Sequence, residues 1–398
     1  MEADPAANRP AQFELLRALA RAELDAPAID RLATAAAGPI DWGALPELLA
    51  RHGLTVFAAR HLSRVRDRVP TAVWDVVQAQ AHGVRGTALA MTAEMLRILE
   101  TFDARGIAVL PFKGPVLAWR AYQDLGARPF TDLDLLVHPR DVSAAGAALV
   151  ALGYLPEYEL SGARDAWFRR VDGDYPFVHP ATGHLVELHA RVASRRFGGG
   201  PATDALWARR ETLTIAGRPI AVLGADDAFL VQALHGGKHR WERLEWVAAV
   251  AELLRRRGGD VTSVMAGAGE AERAVLLACA VAADWLGAPL AEQIDARRRR
   301  DPVVAALATA AWRHVLGGAT DGGPGETSAK LRFNWRLQRG ILARTRFAYR
   351  WAMWPSPEDW ETVRLPDRFF FAYRAVRPMR LLVRYGGQLL VPARARHG

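Results

Sequence analysis

The hydrophobic pattern changes period along the chain. Over residues 11–104, in runs such as FELLRALARAEL and TAEMLRILETFDARG, apolar positions recur at helical spacing and the runs stop near Gly or Pro, so this stretch predicts helices. From residue 106 short apolar runs interrupt that rhythm. GIAVLPF (106–112) predicts a strand. GPVLAWRAYQDLG predicts a helix with Pro115 near its first turn, where a missing N–H costs nothing. TDLDLLV predicts a strand and PRDVSAAGAALVALGY a helix. YPFVHP and HLVELHA, joined by the turn ATGH, predict a hairpin, and ETLTIAGRPIAVL (211–223) a further hairpin at the sheet edge. Helical spacing returns at Asp226 in DDAFLVQALHGGKHRWERLEWVAAVAELLRRRG, and GGATDGGPGETSAK (317–330) reads as a linker. The βαβαββ order implies an α+β fold with one mixed sheet and flanking helices. The expected organisation is an N-terminal helical region (1–100), a sheet domain (101–224), a C-terminal helical domain (225–318), and a linker with a basic aromatic tail (319–398).

Composition changes this picture little. With 51% apolar residues the 398-residue chain can bury a sizeable core. Its one cysteine, Cys279, lies in an apolar helical run, which excludes a disulfide framework and reads as core rather than nucleophile. The opening MEADPAANRP lacks the charged and apolar regions of a signal peptide, and no apolar run reaches the roughly 18 residues of a spanning helix. A cytoplasmic location is therefore expected. The net charge of +9 suits phosphate ligands, nucleic acid or a membrane surface, although arginine is frequent throughout. Lysine is rare: Lys113, Lys238 and Lys330 only, the first two inside the most unusual motifs.

The chemistry starts with TDLDLLV. In a strand, residues two apart share a face, so Asp132 and Asp134 project together from a very apolar run. Two adjacent buried carboxylates raise each other's pKa, and a divalent cation between them reverses that balance. In HLVELHA, Leu185, Glu187 and His189 share one strand face, and Glu187 could complete the site as a third metal ligand or take a proton from an acceptor hydroxyl. An Asp-x-Asp pair at a strand start also serves as a turn or cap device; the third acid and the preceding Lys-Gly element favour the metal.

That element is PFKGPVLAW. It sets Lys113 and Gly114 between strand and helix, where free N–H groups and a mobile ammonium make an anion site. Arg128 could meet a phosphate or hold Asp132 or Asp134. HGGKHRWERLEW puts His235 and His239 on one helical face with Lys238 beside them; they line the cleft against phosphates or acceptor, or pack between helices. Gly236 and Gly237 each cost about 1 kcal/mol in a helix relative to Ala, which implies close approach by another backbone or a ligand.

Lys-Gly, then GARPFTDLDLLV, VELH and HGGKHRWERLEW together resemble a bacterial nucleotidyltransferase family of the DNA polymerase beta superfamily, over roughly residues 90–390. The resemblance implies the nucleotidyltransferase fold, Mg²⁺ (two ions), a nucleoside triphosphate, and metal-ligand roles for Asp132 and Asp134, with Glu187 as third acid. The chain departs from the wider pattern in carrying Lys113-Gly114 where Gly-Ser meets the triphosphate. The expected activity is transfer of a nucleoside monophosphate to a hydroxyl of an unidentified small or macromolecular acceptor. The alternative is a degenerate nucleotide- or partner-binding accessory protein. Arg interleaved with Trp, Phe and Tyr in 331–398 suits helices packed on the body first, peripheral membrane contact next and nucleic acid last.

Overall fold

The computed structural model describes residues 9–317 and 324–389. Among these described residues seven strands lie between helices: β1 (Val109–Pro111), β2 (Asp132–Val137), β3 (Leu155–Pro156), β4 (Asp174–Val178), β5 (Leu185–His189), β6 (Glu211–Ile215) and β7 (Arg218–Val222). The first five form one mixed sheet in the order β1-β2-β5-β4-β3, in which β2 and β5 are parallel and the other neighbours antiparallel. The fold is α+β.

Strand alternation gives this sheet two unlike faces. Leu133, Leu135 and Val137 of β2 and Val186 and Leu188 of β5 point to one side. There they meet Met95, Ile98 and Phe102 of the 34-residue helix Thr71–Ala104 and Leu149 of the helix Val142–Ala151. This apolar layer orients the sheet and leaves Asp132, Asp134, Glu187 and His189 to the opposite face. Leu136, also on that face, packs with Leu110, Phe112, Leu206 and Val231.

Two expectations are modified. The 211–223 hairpin is a separate two-stranded sheet: β6 and β7 pair with each other, and β7 lies beside β1 without joining its ladder. Ile215, Ile220 and Val222 hold it there through the same apolar layer as Val137 and Ile107. Within the expected 317–330 linker, residues 318–323 lie outside those described, and Pro324–Leu337 is a helix.

A second apolar body sits beside the sheet. Leu16, Leu32 and Phe57 of the first helices share it with Phe229 of the helix Ala225–Lys238, Val247 of Leu244–Arg256 and Leu277 of Glu272–Leu286. Cys279 is buried in it, and burial pushes its thiol up to about 12, so it is an inert core residue.

Candidate active site

The parallel register of β2 and β5 sets Asp134 directly across from Glu187 and Asp132 across from Leu185. All three acids thus occupy the polar face. Lys113 directly follows Phe112, whose N–H donates to the Asp134 carbonyl at 3.2 Å, so the end of β1 carries the lysine to the same spot. Its Nζ lies 2.6 Å from Asp134 Oδ1. His189 Nε2 lies 3.0 Å from that oxygen and 3.2 Å from Glu187 Oε2.

The electrostatics separate the two aspartates. Burial alone would raise the Asp134 pKa; the Lys113 ammonium and the His189 hydrogen bond outweigh it and hold this carboxyl well below the usual range. Burial likewise disfavours the cationic form of His189, yet its bonds to Asp134 and Glu187 lift it to about 9. Burial also works against the Lys113 charge, but Asp134 and Glu187 keep its pKa above the ordinary value. Burial, followed by repulsion from Asp134, pushes Asp132 up to about 6 against the pull of Lys113.

One buried atom is left over. Asp134 Oδ2 accepts no hydrogen bond among the described residues. An orphaned carboxylate oxygen, a second carboxylate that is strained by its own charge, and a third across the strand pair fit a divalent cation, which takes oxygen ligands. Asp134, Glu187 and His189 each offer one ligand atom, all within 4.8 Å of one another. His189, protonated at neutral pH, is better read as a counter-cation than as a ligand.

The polar face opens into a narrow, partly open cleft whose cavity volume is about 80 Å³. Lys113, Glu187, His189, His235, Lys238 and Phe197 line it, whereas Asp132 and Asp134 do not. Residues 38–287 match the sequence family described as uncharacterised nucleotidyltransferase. The chain belongs to that family. No curated protein and no solved structure matches it. The family region takes in all seven strands and ends just past the helix Glu272–Leu286.

In this family member, the other expected site residues fall in different places. Gly114 does not line the cleft; its φ of +44° and the 3.3 Å that would separate a Cβ from the Asp132 carbonyl oxygen bring the helix Gly114–Tyr122 tight against β2. Arg128 is buried away from the cleft, with Nη2 3.7 Å from Glu245 Oε2. Lys238 lines the cleft, its Nζ over the Phe197 ring at 5.5 Å. His235 lines it too, but its ring lies 4.8 Å from both His239 and Trp246, and burial holds both histidines well below their usual pKa. They are neutral packing groups in this state, and His239 is set back from the cleft.

The glycine pair has a different visitor from the one expected. After Lys238 the chain turns through Arg240 and Trp241, both at positive φ, and Trp241 N–H donates to Gly236 O at 2.9 Å. This folds the indole back onto Gly236, so the close neighbour is a side chain.

Sequence reasoning passed over Asp174, Phe197 and Asn334, which also line the cleft. Asp174 pairs with His189 across β4 and β5, and burial raises its carboxyl pKa. Phe197 lies on a loop held from behind by the C-terminal helices. Arg196 donates to the carbonyls of Trp354 and Pro355 at 2.7 and 2.8 Å, and the Phe197 ring is 6.3 Å from that of Phe347. Asn334, from the helix Pro324–Leu337, donates to the Lys238 carbonyl at 3.2 Å.

Proposed function

We propose that the protein transfers a nucleoside monophosphate from a nucleoside triphosphate to an acceptor hydroxyl, with Mg²⁺ held by Asp132, Asp134 and Glu187. The observation that supports this reading is the placement of Asp132, Asp134 and Glu187 on one sheet face, with Asp134 and Glu187 directly opposite each other and a buried oxygen of Asp134 left unsatisfied. When bound, Mg²⁺ would offset phosphate charge and favour attack at the α-phosphorus. Lys113 and Lys238, which both line the cleft, supply positive charge for the phosphates. His189 keeps Glu187 ionised, the form that can hold the cation or, in its place, receive the acceptor's proton. The acceptor oxygen forms its bond to the α-phosphorus, the bond to the bridging oxygen breaks, and pyrophosphate leaves. The neutral His235 and His239 line or back the acceptor side, and Arg128 and Gly114 support the acids from behind.

A screen with α-labelled nucleoside triphosphates and Mg²⁺ tests this. Label transfer or incorporation that is lost in Glu187→Gln is the expected result. Tight nucleotide binding with no transfer for any of the four nucleotides would instead support a binding protein without chemistry, a reading favoured by the Lys113 ammonium already seated on Asp134.

A pH dependence follows from Asp132. Its folded-state pKa of about 6 lies above the 3.8 of an unperturbed aspartate, so its contribution to stability is full below the lower value and is lost as pH rises through the higher. Protons and Mg²⁺ compete for this carboxylate. The rise in melting temperature given by Mg²⁺ is expected to be several degrees larger at about pH 7.5 than at about pH 5. A pH-independent rise would remove Asp132 from the ligand set.

A further inference from the structure

The chain's positive charge is not spread evenly. Residues 331–398 hold 14 of the 52 basic residues and only 4 of the 43 acidic ones, so this tail carries the entire excess of +9 and the rest of the chain is close to neutral. The tail also lies outside the family region.

Two of its helices, Ile341–Met353 and Tyr373–Leu389, pack on each other. Their inner sides are accounted for. Phe347 and Tyr373 are buried, and Arg377 and Arg380 hold the fully buried Asp359 at 3.1 and 2.5 Å. Their outer sides expose large apolar side chains among arginines. On the last helix Met379, Leu382 and Val383 are 66, 63 and 89% exposed, and Phe371 just before it is 69% exposed. Met379, Leu382 and Val383 fall on one stripe of helical spacing, with the exposed Phe371, Arg368 and Arg374 close before it in the chain. Ile341 and Leu342, at the start of the other helix, are about as exposed.

The chemistry of this face narrows what could cover it. A second copy would set one strongly basic tail against another. A nucleic acid would meet the arginines, but offers nothing to aliphatic Met379, Leu382 and Val383. An anionic bilayer answers both: its headgroups take the arginines and its acyl boundary takes the aliphatic stripe. Among the described residues no helix is long and apolar enough to cross a membrane, which suits a helix lying in the surface. We propose that the outer face of Phe371–Val383 docks on an anionic lipid surface. This inference stands apart from the nucleotidyl-transfer chemistry.

Flotation of the full chain with vesicles tests it. The protein is expected to float with vesicles of equal parts phosphatidylcholine and phosphatidylglycerol, to stay behind with phosphatidylcholine alone, and to dissociate as salt is raised. Leu382→Glu/Val383→Glu, at exposed positions that leave the fold intact by circular dichroism, is expected to lower partitioning by about tenfold or more. Arg368→Glu/Arg374→Glu is expected to act in the same direction. Absence of flotation with anionic vesicles, or unchanged flotation of the Leu382/Val383 variant, overturns the proposal. So does a homodimer or an RNA complex abolished by the same substitutions in a protein that ignores vesicles.

Discussion

Asp134→Ala is expected to destabilise the protein by about 3–5 kcal/mol, whereas Asp132→Asn, two residues away, is expected to stabilise the Mg²⁺-free protein by about 1 kcal/mol. The opposite signs come from the environments of the two carboxylates. Asp134 is fully buried and neutralises Lys113 and His189 through a single oxygen. Its removal leaves two buried cations without the carboxylate that bridges them, offset only by the less closely placed charges of Glu187, Asp132 and Asp174. Asp132 has the reverse problem. Its charge is disfavoured by burial and by Asp134, as its pKa of about 6 records, and an amide of the same shape relieves that repulsion. The gain is limited because Asp132 is partly open to solvent, which screens it. Chemical denaturation near neutral pH without Mg²⁺ measures both. Equal losses for the two variants would mean that the aspartates share one environment. In the transfer assay both substitutions are expected to remove activity, so stability and catalysis part company at Asp132.

Gly236→Ala is expected to cost about 2–3 kcal/mol, against the usual direction of such a change in a helix. Helix propensity alone would give a gain of about 1 kcal/mol. At this position a Cβ would sit 2.4 Å from the Trp241 ring, and Trp241 is wholly buried. The indole cannot retreat without breaking the turn that Arg240 and Trp241 make at positive φ. Gly86, mid-way along the helix Thr71–Ala104, is the control: a Cβ there meets nothing within 4 Å, and Gly86→Ala is expected to stabilise by about 0.5–1 kcal/mol. Thermal unfolding of the two variants side by side decides the matter; a stabilised Gly236→Ala would mean that the loop can move aside.

The contrast between these sites shows what the sequence can reveal. Strands β2 and β5 were legible because their apolar residues alternate against one buried layer, and that alternation also put Asp132, Asp134 and Glu187 on a common face. β3, two exposed residues without alternation, left no such trace. The first partner of Lys113 was not legible either. The lysine looked like a phosphate ligand because it stands between strand and helix, but the antiparallel pairing of β1 with β2 delivers it to an acid 21 residues later in the chain. His189 was visible as a neighbour of Glu187 on the strand, while its bond to Asp134 depends on strand order. Gly236 and Gly237 signalled a close approach, but identifying Trp241 required the turn after the helix, which two non-glycine residues at positive φ conceal from pattern reading.

The wall of the cleft has a mixed origin. Asn334 comes from beyond the family region, and the loop bearing Phe197 is braced by Trp354, Pro355 and Phe347, also beyond it. The cleft wall is thus shared between the family region and the segment that follows it, while Asp132, Asp134 and Glu187 lie wholly within the family region. A different appendage at this end would reshape the guest-recognising surface and leave the carboxylate triad untouched.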